Sequence, residues 1–139
     1  MYTGIVQASC QLQQVECKEG LHTLTVRLPG ALLDELVIGA SVGMDGVCLT
    51  VTIIQGELVS FDVMQQTLGL TTLGALREGD IVNIERSAKQ GVEVGGHILS
   101  GHIDGTAEII SIETPENNHV ITYRVEPSFM PYIFGKGFV

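Results

Sequence analysis

Residues 22–28, HTLTVRL, and 119–125, HVITYRV, are two versions of one segment. In an extended chain, side chains point alternately to opposite faces, so Leu24, Val26 and Leu28 would share one face and Thr23, Thr25 and Arg27 the other. The copies stand 97 residues apart, and the same offset lays TGIV (3–6) over SGHI (100–103), Leu32-Leu33 over Phe129-Met130, Leu36 over Ile133 and Val42 over Val139, with no gap. A repeat at one fixed offset reads as a complete unit followed by the opening of another. We therefore divide the chain into 1–97 and 98–139. The second copy stops at the counterpart of Val42 and shows none of DGVCLTV (45–51), VSFDV (59–63) or DIVNIE (80–85). A barrel without its later strands has unpaired edges and an open core. Residues 98–139 are thus either the start of a truncated second barrel, or a piece that completes a neighbour's barrel or the first one.

The remaining strand candidates fit the same class. Val59, Phe61 and Val63 alternate with polar neighbours, Ile81–Glu85 alternates with imperfect parity, and VCLTVTII (47–54) is β-branched and almost wholly apolar. Asp45-Gly46, Gln55-Gly56-Glu57 and Glu78-Gly79-Asp80 are turn signals between them. Ala31–Leu36 reads as one or two helical turns stopping near Gly39. Many short strands with little helix predict a small all-β barrel or sandwich. With 45% apolar residues in 139, the chain can bury a core. Its formal net charge of -9 repels phosphate backbones, so a nucleic-acid binder is disfavoured and neutral small molecules stay open as ligands. The most apolar region, 31–44, is broken by Asp34 and Glu35 and is too short for a membrane span. The first ten residues lack the basic-then-apolar pattern of a secretory signal. Three cysteines make no disulfide framework, which points to the reducing cytosol.

The stretch VGGHILSGHIDG (94–105) carries two of the four histidines. His97 and His102 are five apart, on opposite sides of a strand or about 140° apart on a helix, so they do not chelate one metal. A phosphate cradle would need a helix to follow, and IDGTAEIISI reads as strand. Gly101-His102-Ile103 is the copy of Gly4-Ile5-Val6, so this stretch is the seam between the repeats.

MYTGIVQ at the start, GASVGMDGVCLTV from Gly39, SFDVMQQTL from Ser60, GDIVNIERSAK from Gly79 and GGHILSGHIDG from Gly95 together resemble riboflavin synthase, over essentially the whole chain and in the family's order. The likeness extends, less closely, to lumazine-binding antenna proteins. The resemblance implies a six-stranded Greek-key closed barrel for the first repeat, a second barrel left incomplete, and a homotrimer for the full-length protein. It implies a transferase reaction in which two molecules of 6,7-dimethyl-8-ribityllumazine give riboflavin and a ribitylamino-pyrimidinedione, with no metal or cofactor. Such chemistry rests on positioning two reactants and on acid–base help. The isolated chain is expected to bind lumazine or riboflavin and to turn over poorly or not at all, with a dimer as the oligomer open to it. The alternative is a non-catalytic lumazine- or riboflavin-binding domain. Lumazine synthase is the further partner; nucleic acid and membranes are not.

Carried over residue by residue, the resemblance places Cys48, His102 and Ser41 at the reacting centre, with Cys48 near the chemistry rather than as nucleophile. Ligand contacts are expected from Gly4, Ile5 and Val6, and from Cys48, Leu49 and Thr50 on one strand, where Cys48 and Thr50 share parity. Others are expected from Asp62, Val63 and Met64, from Gln65, Gln66 and Thr67, from Gly101, His102 and Ile103, and from Lys136. His97 would close the first barrel beside the pocket. Asp62 and Thr67 are also candidate caps for a following helix. Tyr2 stands where the family carries Phe, and Val47 where it often carries a second Cys. A buried Tyr2 would need a partner for its hydroxyl. Asn83 and Glu85 share parity, and Glu85 is expected on a solvated strand face. Cys10 and Cys17 are expected to be structural.

Overall fold

The computed structural model describes residues 1–89, 91 and 93–139 and separates into two compact units, 1–104 and 105–139. In the first, strands β1 (Ala8–Lys18), β2 (Leu21–Arg27), β3 (Ser41–Met44), β4 (Val47–Gln55), β5 (Leu58–Met64) and β6 (Ile81–Arg86) form a closed antiparallel barrel. The order around it is β1-β2-β5-β4-β3-β6, a Greek key. One helical turn, α1 (Gly30–Leu33), joins β2 to β3; α2 (Gln65–Leu70) and a 3-10 turn, Thr72–Ala75, join β5 to β6.

The alternation read from the sequence sorts the residues. Leu24 and Val26 of β2, Val47, Leu49 and Val51 of β4, Val59, Phe61 and Val63 of β5, and Val82 and Ile84 of β6 fill the interior. Leu28, Leu36 and Leu73 close its ends from the connections. The bend at Asp45-Gly46 suits its residues. Both take positive φ, 47° and 81°, which the two-residue link between β3 and β4 requires and an Asp-Gly pair tolerates.

The longest strand, β1, was not among the strand candidates. Cys10 and Leu12 point inward, the register then slips between Leu12 and Gln14 against β2, and the next inward residue is Val15. A bulge inserts one residue and resets the alternation, so the apolar positions are spaced two and then three apart. In contrast, residues 1–7 form no named strand and contribute a single bridge, Tyr2 to Leu99.

A part-buried polar pair sits in the barrel wall. Ser60 is buried, and its hydroxyl and that of Thr25 lie 2.9 Å apart across β2 and β5. Ser60→Ala leaves the Thr25 hydroxyl without that partner and should cost about 1 kcal/mol. Adding Thr25→Val should recover most of it, read as the urea midpoint of the double variant returning toward the parent's.

The second unit contains strands β7 (Glu108–Glu113) and β8 (Val120–Arg124) and a 3-10 turn, Pro127–Tyr132. Ile109, Ser111, Ile112 and Glu113 pair with Tyr123, Thr122, Ile121 and Val120. In the first unit Leu12, Gln14, Val15 and Glu16 pair with Val26, Thr25, Leu24 and Thr23. Each partner lies 97 residues beyond its counterpart, and the bulge recurs at the same place. Gly101 has φ 76° where Gly4 has 78°, and Lys136 has φ 61° where Gly39 has 88°. The repeat seen in residue pattern is therefore a repeat of register.

Candidate functional site

The site is built where the N-terminal segment meets residues 97–103. Tyr2 exchanges backbone hydrogen bonds with Leu99, donating at 2.8 Å and accepting at 3.0 Å, and the His97 amide donates to the Thr3 carbonyl. The Ala88 amide donates to the Met1 carbonyl. Glu85 fixes the segment from the barrel side. Its Oε1 accepts from the Thr3 amide at 2.6 Å and from the Thr3 hydroxyl at 2.8 Å, while Oε2 accepts from the Gly4 amide at 3.2 Å. The expectation of a solvated Glu85 is thus corrected: three donors converge on its carboxylate because the N-terminal segment crosses the end of β6. Those donors lie some eighty residues away in sequence, so strand parity gave no signal of them.

Residues 99–103 run on as a strap over the start of β4. The Cys48 amide donates to the Gly101 carbonyl at 2.8 Å, and Ile103 packs against the core. A recess of about 250 Å³ lies under the strap, lined by Val47, Cys48, Gln66, Thr67, Leu70, Thr71, Gly101, His102 and Ile103. Three segments far apart in sequence meet here: the start of β4, the helix α2 and the strap. The first turn of α2 is presented without the expected caps. Its N-cap is Met64, which makes no side-chain cap bond, and Asp62 instead accepts from the Thr23 hydroxyl across β2 and β5 at 2.8 Å. The Thr67 carbonyl accepts both the amide and hydroxyl of Thr71, which ends the helix.

The expected contact residues divide by this geometry. Cys48, Gln66, Thr67, Gly101, His102 and Ile103 are brought together on the recess. Leu49 and Val63 point into the barrel core, leaving only their backbone to face outward. Thr50, Asp62, Met64 and Gln65 are exposed and do not line the recess, and Ile5 and Val6 are exposed on the N-terminal segment. Gly4 lies behind the strap in a small cavity with Tyr2, Gly43, Glu85, Leu99 and Gly101. Ser41 is half-buried on β3, and Lys136 belongs to the second unit. The parity of Cys48 and Thr50 sets both outside the barrel, so the recess is on the outer wall.

Tyr2 joins the two sides of the site. It is 4% exposed, and its hydroxyl donates to Cys48 Sγ at 3.1 Å. Burial holds the phenol far above its ordinary range; the Cys48 bond and the charge of Glu85 add to this, while the neighbouring Ser41 hydroxyl opposes it. Burial and the Cys48 bond both favour the protonated phenol, the form that donates to Cys48. Cys10, buried in the barrel, also has its thiol pushed up by burial, as befits an unreactive core residue. Among the described residues, no three potential metal ligands gather, and no helix is long and apolar enough to cross a membrane.

The chain is similar in sequence and fold to known proteins. Residues 3–87 match the lumazine binding domain family. The riboflavin synthase of Escherichia coli (strain K12) is 51% identical over 140 residues, covering 100% of this chain and 66% of that protein. The riboflavin synthase of Bacillus subtilis (strain 168) is 34% identical, over 99% of this chain and 63% of its own. The chain thus spans about two thirds of the length of these relatives. Among solved structures, LumP complexed with riboflavin superposes with a TM-score of 0.85 at 26% identity, covering 96% of this chain and 72% of its own. LumP complexed with 6,7-dimethyl-8-(1'-D-ribityl) lumazine gives 0.82 at 27% identity, over 91% and 70%.

Proposed function

The chain belongs to the lumazine-binding domain family, and from that premise we propose that the recess beside Cys48 holds the ring of a lumazine or flavin as one half of a riboflavin synthase active site. The observation that carries this is the convergence of Cys48, Gln66, Thr67 and the strap residues Gly101–Ile103 on one recess. Its volume, about 250 Å³, is below the range of about 300–1,000 Å³ usual for pockets that enclose a small molecule. It suits a site that covers one face of a planar ring and leaves the other for a second ring.

The reaction proposed for the whole protein joins two 6,7-dimethyl-8-ribityllumazines into riboflavin and a ribitylamino-pyrimidinedione. One lumazine methyl loses a proton, the second ring accepts addition, and a four-carbon unit passes between them. The lumazines carry this chemistry themselves, so neither metal nor cofactor enters the proposal. Stacking two rings in register supplies the positioning that turns two reactants into one assembly. His102, exposed at the rim, is the group suited to move the proton. Thr67 and Gln66 offer hydrogen bonds to ring or ribityl oxygens. The Cys48 amide is engaged by Gly101, so Cys48 would act on the ligand through its thiol. The second face would come from another lumazine-binding barrel, within the longer protein or from another copy in a homo-oligomer. Three free cysteines suit a reducing cytoplasm, and lumazine synthase, which would supply the substrate, is the natural neighbour.

Fluorescence titration with 6,7-dimethyl-8-ribityllumazine should give saturable binding to this chain. His102→Ala should weaken it by no more than about threefold, since His102 stands at the rim. No saturable binding by the folded protein would overturn the proposal. The likeness to LumP favours one other reading, binding without turnover. Riboflavin forming from the lumazine at an enzyme-like rate would exclude that reading.

A further inference from the structure

Tyr2 has a feature that a Phe at the same place would lack: a buried hydroxyl aimed at a thiol of the recess. Its ring is held between two glycines. A methyl group placed on Gly43 would lie 3.2 Å from Cε1, and one on Gly101 would lie 2.7 Å from Cε2, so each glycine lends the ring the space a side chain would take. Gly43 pairs with Cys48 across β3 and β4, which sets the end of the ring beside the cysteine. Cys48 is itself fixed, by the bond from its amide to Gly101 and by the closeness of its Cβ to that glycine. Both ends of the 3.1 Å contact are thus placed by backbone.

We propose that the Tyr2 phenol is a positioning residue for Cys48: it occupies one side of the sulfur by donating to it, and so turns the thiol hydrogen into the recess as a donor to the ligand. A thiol has one weak donor and a weakly accepting sulfur. With the accepting side engaged by Tyr2 and the backbone held by the strap, the S–H is left to face the wall that Cys48 shares with Gln66, Thr67 and His102. A bare cysteine at the same position would sample several rotamers and present lone pair and hydrogen in turn. The bound ring would then meet a fixed donor, suited to a carbonyl or ring nitrogen. This rests on the recess being the ligand site.

The test is Tyr2→Phe in the full chain, which keeps the ring and removes the donor. Infrared spectra would follow the S–H stretching bands, with Cys48→Ser identifying the band of Cys48. The Cys48 band should shift in Tyr2→Phe while that of Cys10 stays in place, and lumazine affinity should fall about three- to tenfold. A role confined to packing would move neither, because the ring remains. An unshifted Cys48 band overturns the proposal, as does a shifted band with affinity within twofold of the parent's. If the parent itself fails to bind lumazine, the ligand reading fails, and the band alone decides whether the phenol sets the thiol.

Discussion

Gly101→Val should abolish lumazine binding and destabilise the first unit by about 3–5 kcal/mol, from left-handed strain together with overpacking. Gly101 has φ 76°, a region where a β-branched side chain is strongly disfavoured. Its added Cβ would also stand 2.7 Å from the Tyr2 ring and 2.9 Å from the Cys48 Cβ. Neither obstacle is the free end of a flexible chain: the ring is wedged against Gly43, and Cβ moves only with the β4 backbone. The strap must lift, which breaks the bond from the Cys48 amide to the Gly101 carbonyl and removes one wall of the recess. Gly4 provides the control. Its φ is nearly the same, 78°, yet an added Cβ meets only the mobile tip of Leu99, at 3.0 Å. Gly4→Ala should therefore cost the backbone strain alone, about 1–2 kcal/mol, and should keep binding. Thermal unfolding and lumazine titration of the two variants decide it; Gly101→Val binding like the parent would show that the strap is not a wall of the site.

The contrast between these glycines shows what could be read from sequence. The repeat at 97 paired Gly4 with Gly101, and the structure gives them the same backbone conformation. It could not tell that one faces a leucine tip and the other a buried phenol, because those neighbours come from other segments. The barrel strands were legible wherever one face is buried and the alternation is unbroken, as in β2 and β5. β1 escaped because its bulge shifts the parity midway and its outward positions are mostly Gln and Glu. The outward parity of Cys48 was legible too, but that of Val63 and Leu49 argues for core, and only likeness to a family had drawn them toward the ligand. Tyr2 raised the right question, a hydroxyl in need of a partner. Its answer, Cys48, depends on a crossing of the barrel end that no local pattern encodes.

Glu85→Ala should loosen that crossing, at a cost of about 2–4 kcal/mol, because hydrogen bonds to a charged acceptor are worth more than neutral ones and three end on this carboxylate. The sum is less than three full bonds, since the Gly4 amide is exposed and water can replace its partner. The backbone pairing of Tyr2 with Leu99 remains, so the segment frays from the barrel instead of leaving the strap. Tyr2 then loses one of its two anchors, and the phenol no longer meets Cys48 at a fixed angle. Lumazine affinity should fall severalfold although Glu85 does not line the recess. Glu85→Gln separates charge from reach. The amide keeps one acceptor oxygen, enough for Thr3 but not for Gly4, and should lose about half as much stability. Limited proteolysis within residues 1–6 gives a second reading, faster for Ala than for Gln and slowest for the parent. Equal stability in all three would mean that the strap, not the carboxylate, holds the N-terminal segment in place.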